Sequence, residues 1–223
     1  AQPFLDAARA LPPFQRGAAR PTTVAIDLVL GGQRLIGTLG DVYLAGDELW
    51  LVAFVNSKHI DFGKLLPLYL KWAALRATHP QRVCEVALLT PQAHDLSGFY
   101  QELPDLQRGL QTLLTVYRDA SNHGAVYFPA SSHAFALRWQ QALDQAEGQP
   151  EQATGAALKA AHAVWFGGYA KPGERDHAPG YNALLAGDGH FLDPHDADGR
   201  SFIATAITLH AAINARAATA ELP

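Results

Sequence analysis

Methionine is absent from the 223 residues and cysteine occurs once, at Cys84. Without any Met, the chain is expected to begin partway through a natural polypeptide, as an excised fragment. One cysteine excludes an internal disulfide framework and suits a reducing cytosol. Cys84 stands in an apolar run, where a free thiol behaves as a small buried hydrophobe. Charge is sparse as well: 17% of residues are charged and the formal net charge is −4. That leaves no global basic field, so any nucleic-acid contact must come from a local patch. No apolar run reaches membrane length, no stretch has a signal-peptide pattern, and no internal repeat is present. Gly167-Gly168 lacks a following Gly-Lys-Ser/Thr, so no phosphate-binding loop is expected there. With 48% apolar residues the chain can bury a substantial core, as one large or two closely joined domains.

The stretch from Thr22 to Thr90 is the most ordered pattern in what remains. Thr22 to Leu30 alternates, with Val24, Ile26, Leu28 and Leu30 on one face, as a half-buried strand requires. Gly31-Gly32 supplies a tight hairpin turn, because glycine accepts the positive φ of primed turns. Gln33 to Leu39 is expected to return as the second strand, interrupted by Gly37. After a turn at Ala45 to Glu48, the apolar run Leu49 to Val55 reads as a sheet-centre strand. Asp61 can cap a helix carrying Leu65, Leu68, Tyr69, Trp72 and Leu75, and Arg82 to Leu89 is a fourth strand. A crossover through the helix would make that last strand parallel to its neighbour.

Three strands, a helix and a strand resemble the core of the PD-(D/E)xK nuclease superfamily, a restriction-endonuclease-like α/β fold with a mixed sheet flanked by helices. The resemblance implies an Asp at the end of one strand and an Asp/Glu-x-Lys triplet on the next, with the two carboxylates holding a divalent metal and the Lys helping to activate water. Here Gly40 stands at the first slot, with Asp41 one residue late. A one-residue slip in an alternating strand would turn Asp41 to the opposite face. The second slot reads Leu51-Val52-Ala53-Phe54-Val55, with Ala53 and Val55 where acid and Lys belong. The expectation is a nuclease-like core with degenerate slots, no catalytic residues, no metal and no cofactor of its own.

Around this core, residues 1–21 read as a lead-in helix and linker covering one edge of the sheet, 22–90 as the sheet core, and 91–223 as an added helical layer. All are expected to form one compact domain. Arg16, Arg20 and Arg34 are candidates for a basic patch, with a solvated face as the plainer reading. Asp105 to Arg118 is amphipathic, Ser131-Ser132 is expected to cap the next helix, and Glu151 to Val164 is an Ala-rich packing helix.

Three polar constellations stand out. Lys171 to His177 places Glu174 and Asp176 around Arg175, which suggests a salt-bridged loop or, through Lys171 and Arg175, a partner or phosphate contact. His190, Asp193, His195, Asp196 and Asp198 share one loop. They fit no zinc or calcium spacing, and Asp198 and Ser201 suit the cap of the last helix. Lys58, in Asn56-Ser57-Lys58-His59, follows the central strand and is a further candidate phosphate contact, against a plain surface loop.

The runs Lys64 to Leu75 (KLLPLYLKWAAL), Leu113 to Ser132 (LLTVYRDASNHGAVYFPASS) and Trp165 to Leu185 (WFGGYAKPGERDHAPGYNALL) together resemble the C-terminal domain of the exodeoxyribonuclease V gamma chain, the RecC subunit of the RecBCD helicase-nuclease. That resemblance implies a cytoplasmic, non-catalytic role in double-strand-break repair and recombination. Its implied partners are the beta and alpha chains and double-stranded DNA ends or forked DNA, with no membrane. The motor subunits, not this domain, would hold ATP. Two rival expectations stay open. One is a metal-dependent nuclease with a migrated site, using Asp41 with Asp61 or Glu174 with Asp176. The other is an interaction domain that touches no DNA.

Overall fold

The computed structural model describes residues 2–15, 20–55, 62–90, 103–123, 126–145, 150–168, 171–177, 180 and 189–213. The first unit comprises 1–60, 64–114 and 212–223, and the second comprises 61–63 and 115–211. The helices α3 (Leu103–His123) and α7 (Ala197–Ile213) contribute residues to both.

In the first unit, β1 (Thr22–Leu30), β2 (Gln33–Ala45), β3 (Glu48–Phe54) and β4 (Cys84–Leu89) form one sheet in the order β1-β2-β3-β4. The first two pairings are antiparallel and the third is parallel. This is the mixed α/β architecture expected from the sequence, with the crossover made by α2 (Phe62–Thr78). The hairpin turn falls at Gly31 and Gly32, with φ of 56° and 78°. Strand alternation puts Ile26, Leu28, Leu30, Val42, Leu49, Leu51, Cys84 and Val86 on one buried face. Trp72 of α2 is buried and donates its indole N–H to the Cys84 carbonyl at 2.9 Å, fastening the helix to β4.

The opposite face is covered unevenly. Over β3 and β4, Ala8 and Leu11, from α1 (Gln2–Ala10) and its end, and Phe14 pack on Val52, Ala87 and Leu89. The Phe14 ring lies 4.9 Å from Tyr43. The lead-in thus covers a sheet face rather than an edge. Toward the β1–β2 hairpin the same face is open, with Val29 70% and Ile36 65% exposed.

Strand β2 runs to Ala45, six residues past the expected end at Leu39. The pairing shows why: Val24 faces Leu39 and Thr22 faces Val42, so Gly40 and Asp41 together oppose Thr23. This β-bulge absorbs one residue and resets the alternation, so the strand continues where the sequence pattern breaks.

In the second unit, α4 (Pro129–Gln145), α5 (Pro150–Phe166) and α7 enclose an aromatic core. Phe191, from the 3-10 turn His190–Leu192, is fully buried among Phe128, Trp165 and Phe202, with ring centroids 4.6, 4.9 and 5.0 Å away. The small strands β5 (Gly167–Gly168) and β6 (Lys171–Pro172) pair antiparallel and lead into the short helix α6 (Glu174–His177).

Candidate functional site

The bulge decides what surrounds the first expected nuclease slot. Because Asp41 is part of the extra pair of residues, the simple slip to the opposite face does not apply to it. Its carboxylate meets the Lys71 ammonium of α2 at 3.3 Å, with both side chains largely exposed. Gly40 beside it is exposed, and a side chain there would meet open space. On β3, Ala53 faces Leu88, and the backbone N–H of Val55 donates to Leu89. Gly40, Ala53 and Val55 carry no side-chain metal donor and no cation, so they do not reproduce the carboxylate pair and Lys of that arrangement. Lys58 and Asp61 lie outside the described residues, as does Arg16, so neither the Lys58 contact nor an Asp41–Asp61 pair has a geometry here.

The second carboxylate pair, Glu174 and Asp176, does not converge on a common centre. Both oxygens of Glu174 accept backbone N–H groups at the start of α4, from Ala130 at 2.9 Å and Ser131 at 2.7 Å. Asp176 instead accepts the Gly173 N–H at 2.8 Å and stands 3.7 Å from Arg175. The Arg175 guanidinium lies over the Phe166 ring, 4.5 Å from its centroid, while Lys171 is exposed. The expected local ion pair is present, but Glu174 serves a helix more than forty residues earlier in the chain. Ser131 and Ser132, expected to cap α4, lie inside its first turn and are buried. Pro129 begins the helix, where a missing N–H costs nothing. Phe128 precedes it without an acceptor of its own, and that was the sequence signal for a cap supplied from elsewhere.

In the loop before α7, His190, Asp196 and Asp198 bring one ligand atom each within 4.8 Å of one another. Their contacts are those of a capped helix. Asp196 accepts the Asp198 N–H at 2.8 Å, and Asp198 reaches back to His190 at 3.1 Å. Asp193 accepts the His195 N–H at 2.9 Å. The cap is therefore Asp196, two residues before the expected Asp198, and Ser201 lies further inside the helix.

Among the described residues several exposed cations are paired. Arg34 makes a two-pronged contact with Asp27 at 2.8 and 2.7 Å. That hydrogen bonding lowers the Asp27 pKa and raises that of Arg34. Arg108 meets Asp105 at 3.1 Å and Arg118 meets Asp119 at 3.1 Å. The expected contribution of Arg34 to a basic patch is thus offset by its partner. No described helix is long and apolar enough to cross a membrane.

A family model described as the RecC C-terminal domain matches residues 1–140. The chain belongs to the RecC C-terminal domain family. No curated protein matches the chain. The matched stretch spans the whole four-stranded sheet and ends inside α4, so Lys171 to His177 and the loop before α7 lie beyond it. Membership places the chain with a subunit of the RecBCD helicase-nuclease, in DNA repair.

Proposed function

We propose that this RecC C-terminal domain is a non-catalytic module with a nuclease-like core, which docks the beta and alpha chains and guides duplex or forked DNA in the cytoplasmic complex. The observation that supports it best is the chemistry at the expected slots. Gly40, Ala53 and Val55 offer no side-chain ligands, and Asp41, beside Gly40, is paired with Lys71. In the nuclease pattern that this core resembles, a pair of converging carboxylates holds the metal used for phosphodiester hydrolysis. The reading assigns the domain no metal and no cofactor of its own. Lys58, Lys171 and Arg175 are its proposed phosphate contacts, which would hold DNA without reading sequence.

A second reading, an interaction domain without DNA contact, draws on the paired cations and the net charge of −4. The exposed Val29 and Ile36 on the open half of the sheet add to it. Mixing the domain with the beta and alpha chains, and separately with forked DNA across a salt series, distinguishes the two. Co-migration with the chains together with salt-sensitive DNA binding fits the first reading. Co-migration without any DNA binding leaves only the second, and failure of both removes the two alike.

A further inference from the structure

Helix α4 begins with a problem that its own sequence does not solve. Its first N–H groups have no intrahelical acceptors, and the residue before Pro129 is Phe128, whose side chain accepts nothing. Ser132 is already committed, since its hydroxyl oxygen accepts the Phe128 N–H at 3.1 Å. The remaining donors of Ala130 and Ser131 are met by the two oxygens of Glu174. A carboxylate there gains from charge-assisted hydrogen bonds and from the positive end of the helix. Glu174 is carried by a segment tightly fitted around it. Gly173 is buried against the Trp165 carbonyl so closely that a side chain would overlap it. Its N–H is held by Asp176, whose own N–H returns to the Gly173 carbonyl at 3.1 Å.

We propose that Glu174 is a latch that ties the segment carrying Lys171 and Arg175 to the N-terminus of α4, so that these two cations keep a fixed position. The latch is a positioning device rather than a contact with ligand. It joins residues that are adjacent only in the fold, so opening it frees both sides together. A cap acting only on its helix would leave the turn around Gly173 and Asp176 closed, because their mutual hydrogen bonds do not involve Glu174.

Amide hydrogen exchange on the whole chain separates these cases, using Glu174→Ala and the milder Glu174→Gln. In Glu174→Ala, exchange at Ala130 and Ser131 rises about tenfold, the usual consequence of losing a cap. The latch predicts a comparable rise at Gly173 and Asp176, with a smaller rise at all four amides in Glu174→Gln. Acceleration confined to Ala130 and Ser131 overturns it. Should the alanine variant not fold, the glutamine variant carries the same comparison. The role given to the two cations rests on the DNA-guiding reading and is tested apart. On forked DNA, Glu174→Ala weakens binding several-fold at an unchanged salt slope, whereas Lys171→Ala lowers the slope by about one phosphate. If the unaltered chain binds no DNA, that reading falls, while the exchange pattern still decides the latch.

Discussion

Replacing Phe191 by alanine tests the packing of the aromatic core of the second unit. The side chain is fully buried and its ring meets Phe128, Trp165 and Phe202 at centroid distances of 4.6 to 5.0 Å. Truncating a buried phenylalanine costs about 3–5 kcal/mol in lost transfer energy and residual cavity. Each ring pair adds about 0.5–1.5 kcal/mol beyond burial, but the three share one side chain and do not sum independently. Gly199, on the next helix, packs against the backbone of Asp193 and Phe191, which limits how far the site can collapse. We therefore expect a loss of about 4 kcal/mol for Phe191→Ala. Phe191→Leu keeps most of the apolar volume and forfeits the ring geometry, for a loss of about 1–2 kcal/mol. Urea unfolding followed by near-ultraviolet circular dichroism reads both, because the signal comes from the aromatic cluster itself. A loss below about 1.5 kcal/mol for the alanine variant would refute the claim that this ring centres the core.

Other perturbations have equally definite signs. Burial lowers the His210 pKa from its ordinary 6.5, and its Nε2 has no hydrogen-bond partner among the described residues, with Tyr127, Ser132 and His133 lining the space beside it. The unfolded chain therefore takes up a proton that the fold refuses. Stability attributable to His210 is full above pH 6.5 and falls as the pH drops toward the depressed folded value. Denaturation midpoints measured down from neutral pH should show that loss in the natural chain and less of it in His210→Leu; equal slopes would contradict it. Gly109 of α3 lies so close to the Ala212 carbonyl that a methyl group would overlap it, while Gly155 of α5 faces open space. Gly109→Ala should destabilise by roughly 1–3 kcal/mol and Gly155→Ala should stabilise by about 0.5–1 kcal/mol, opposite signs for one chemical change in a thermal melt. Burial pushes the Cys84 thiol up to about 11, so a thiol reagent at pH 8 should label it only as the chain unfolds, and rapid labelling of the native chain would contradict its placement.

The sheet was legible because its strands obey simple periods. Val24, Ile26, Leu28 and Leu30 alternate cleanly, and Gly31-Gly32 can do little but turn. The continuation of β2 was hidden because a bulge places Gly40 and Asp41 against one partner, and no local pattern distinguishes that from a strand end. Its consequence for the site was hidden with it, since the direction of Asp41 depends on which residue is counted as extra. Strand β4 begins at Cys84 rather than Arg82, whose side chain instead donates to the Asp47 carbonyl at 2.8 Å. Helix caps were read from nearby Ser and Asp residues, and the readings at α4 and α7 missed by position. At α4 the acceptor is Glu174, which sequence distance conceals, and at α7 the nearer Asp196 displaced Asp198. Charges were legible as residues but not as pairs. Asp27 and Arg34 meet only because the hairpin register brings them diagonally across the two strands.

The most direct test of the account is incubation of the purified domain with blunt and forked DNA, with and without magnesium, followed by separation of the products. Intact DNA is expected under both conditions, because Gly40, Ala53 and Val55 supply no side-chain ligands where the nuclease pattern needs them. Magnesium-dependent cleavage that persists through stringent purification and is abolished by Asp41→Asn would contradict it, and would place an active carboxylate at the bulge of β2.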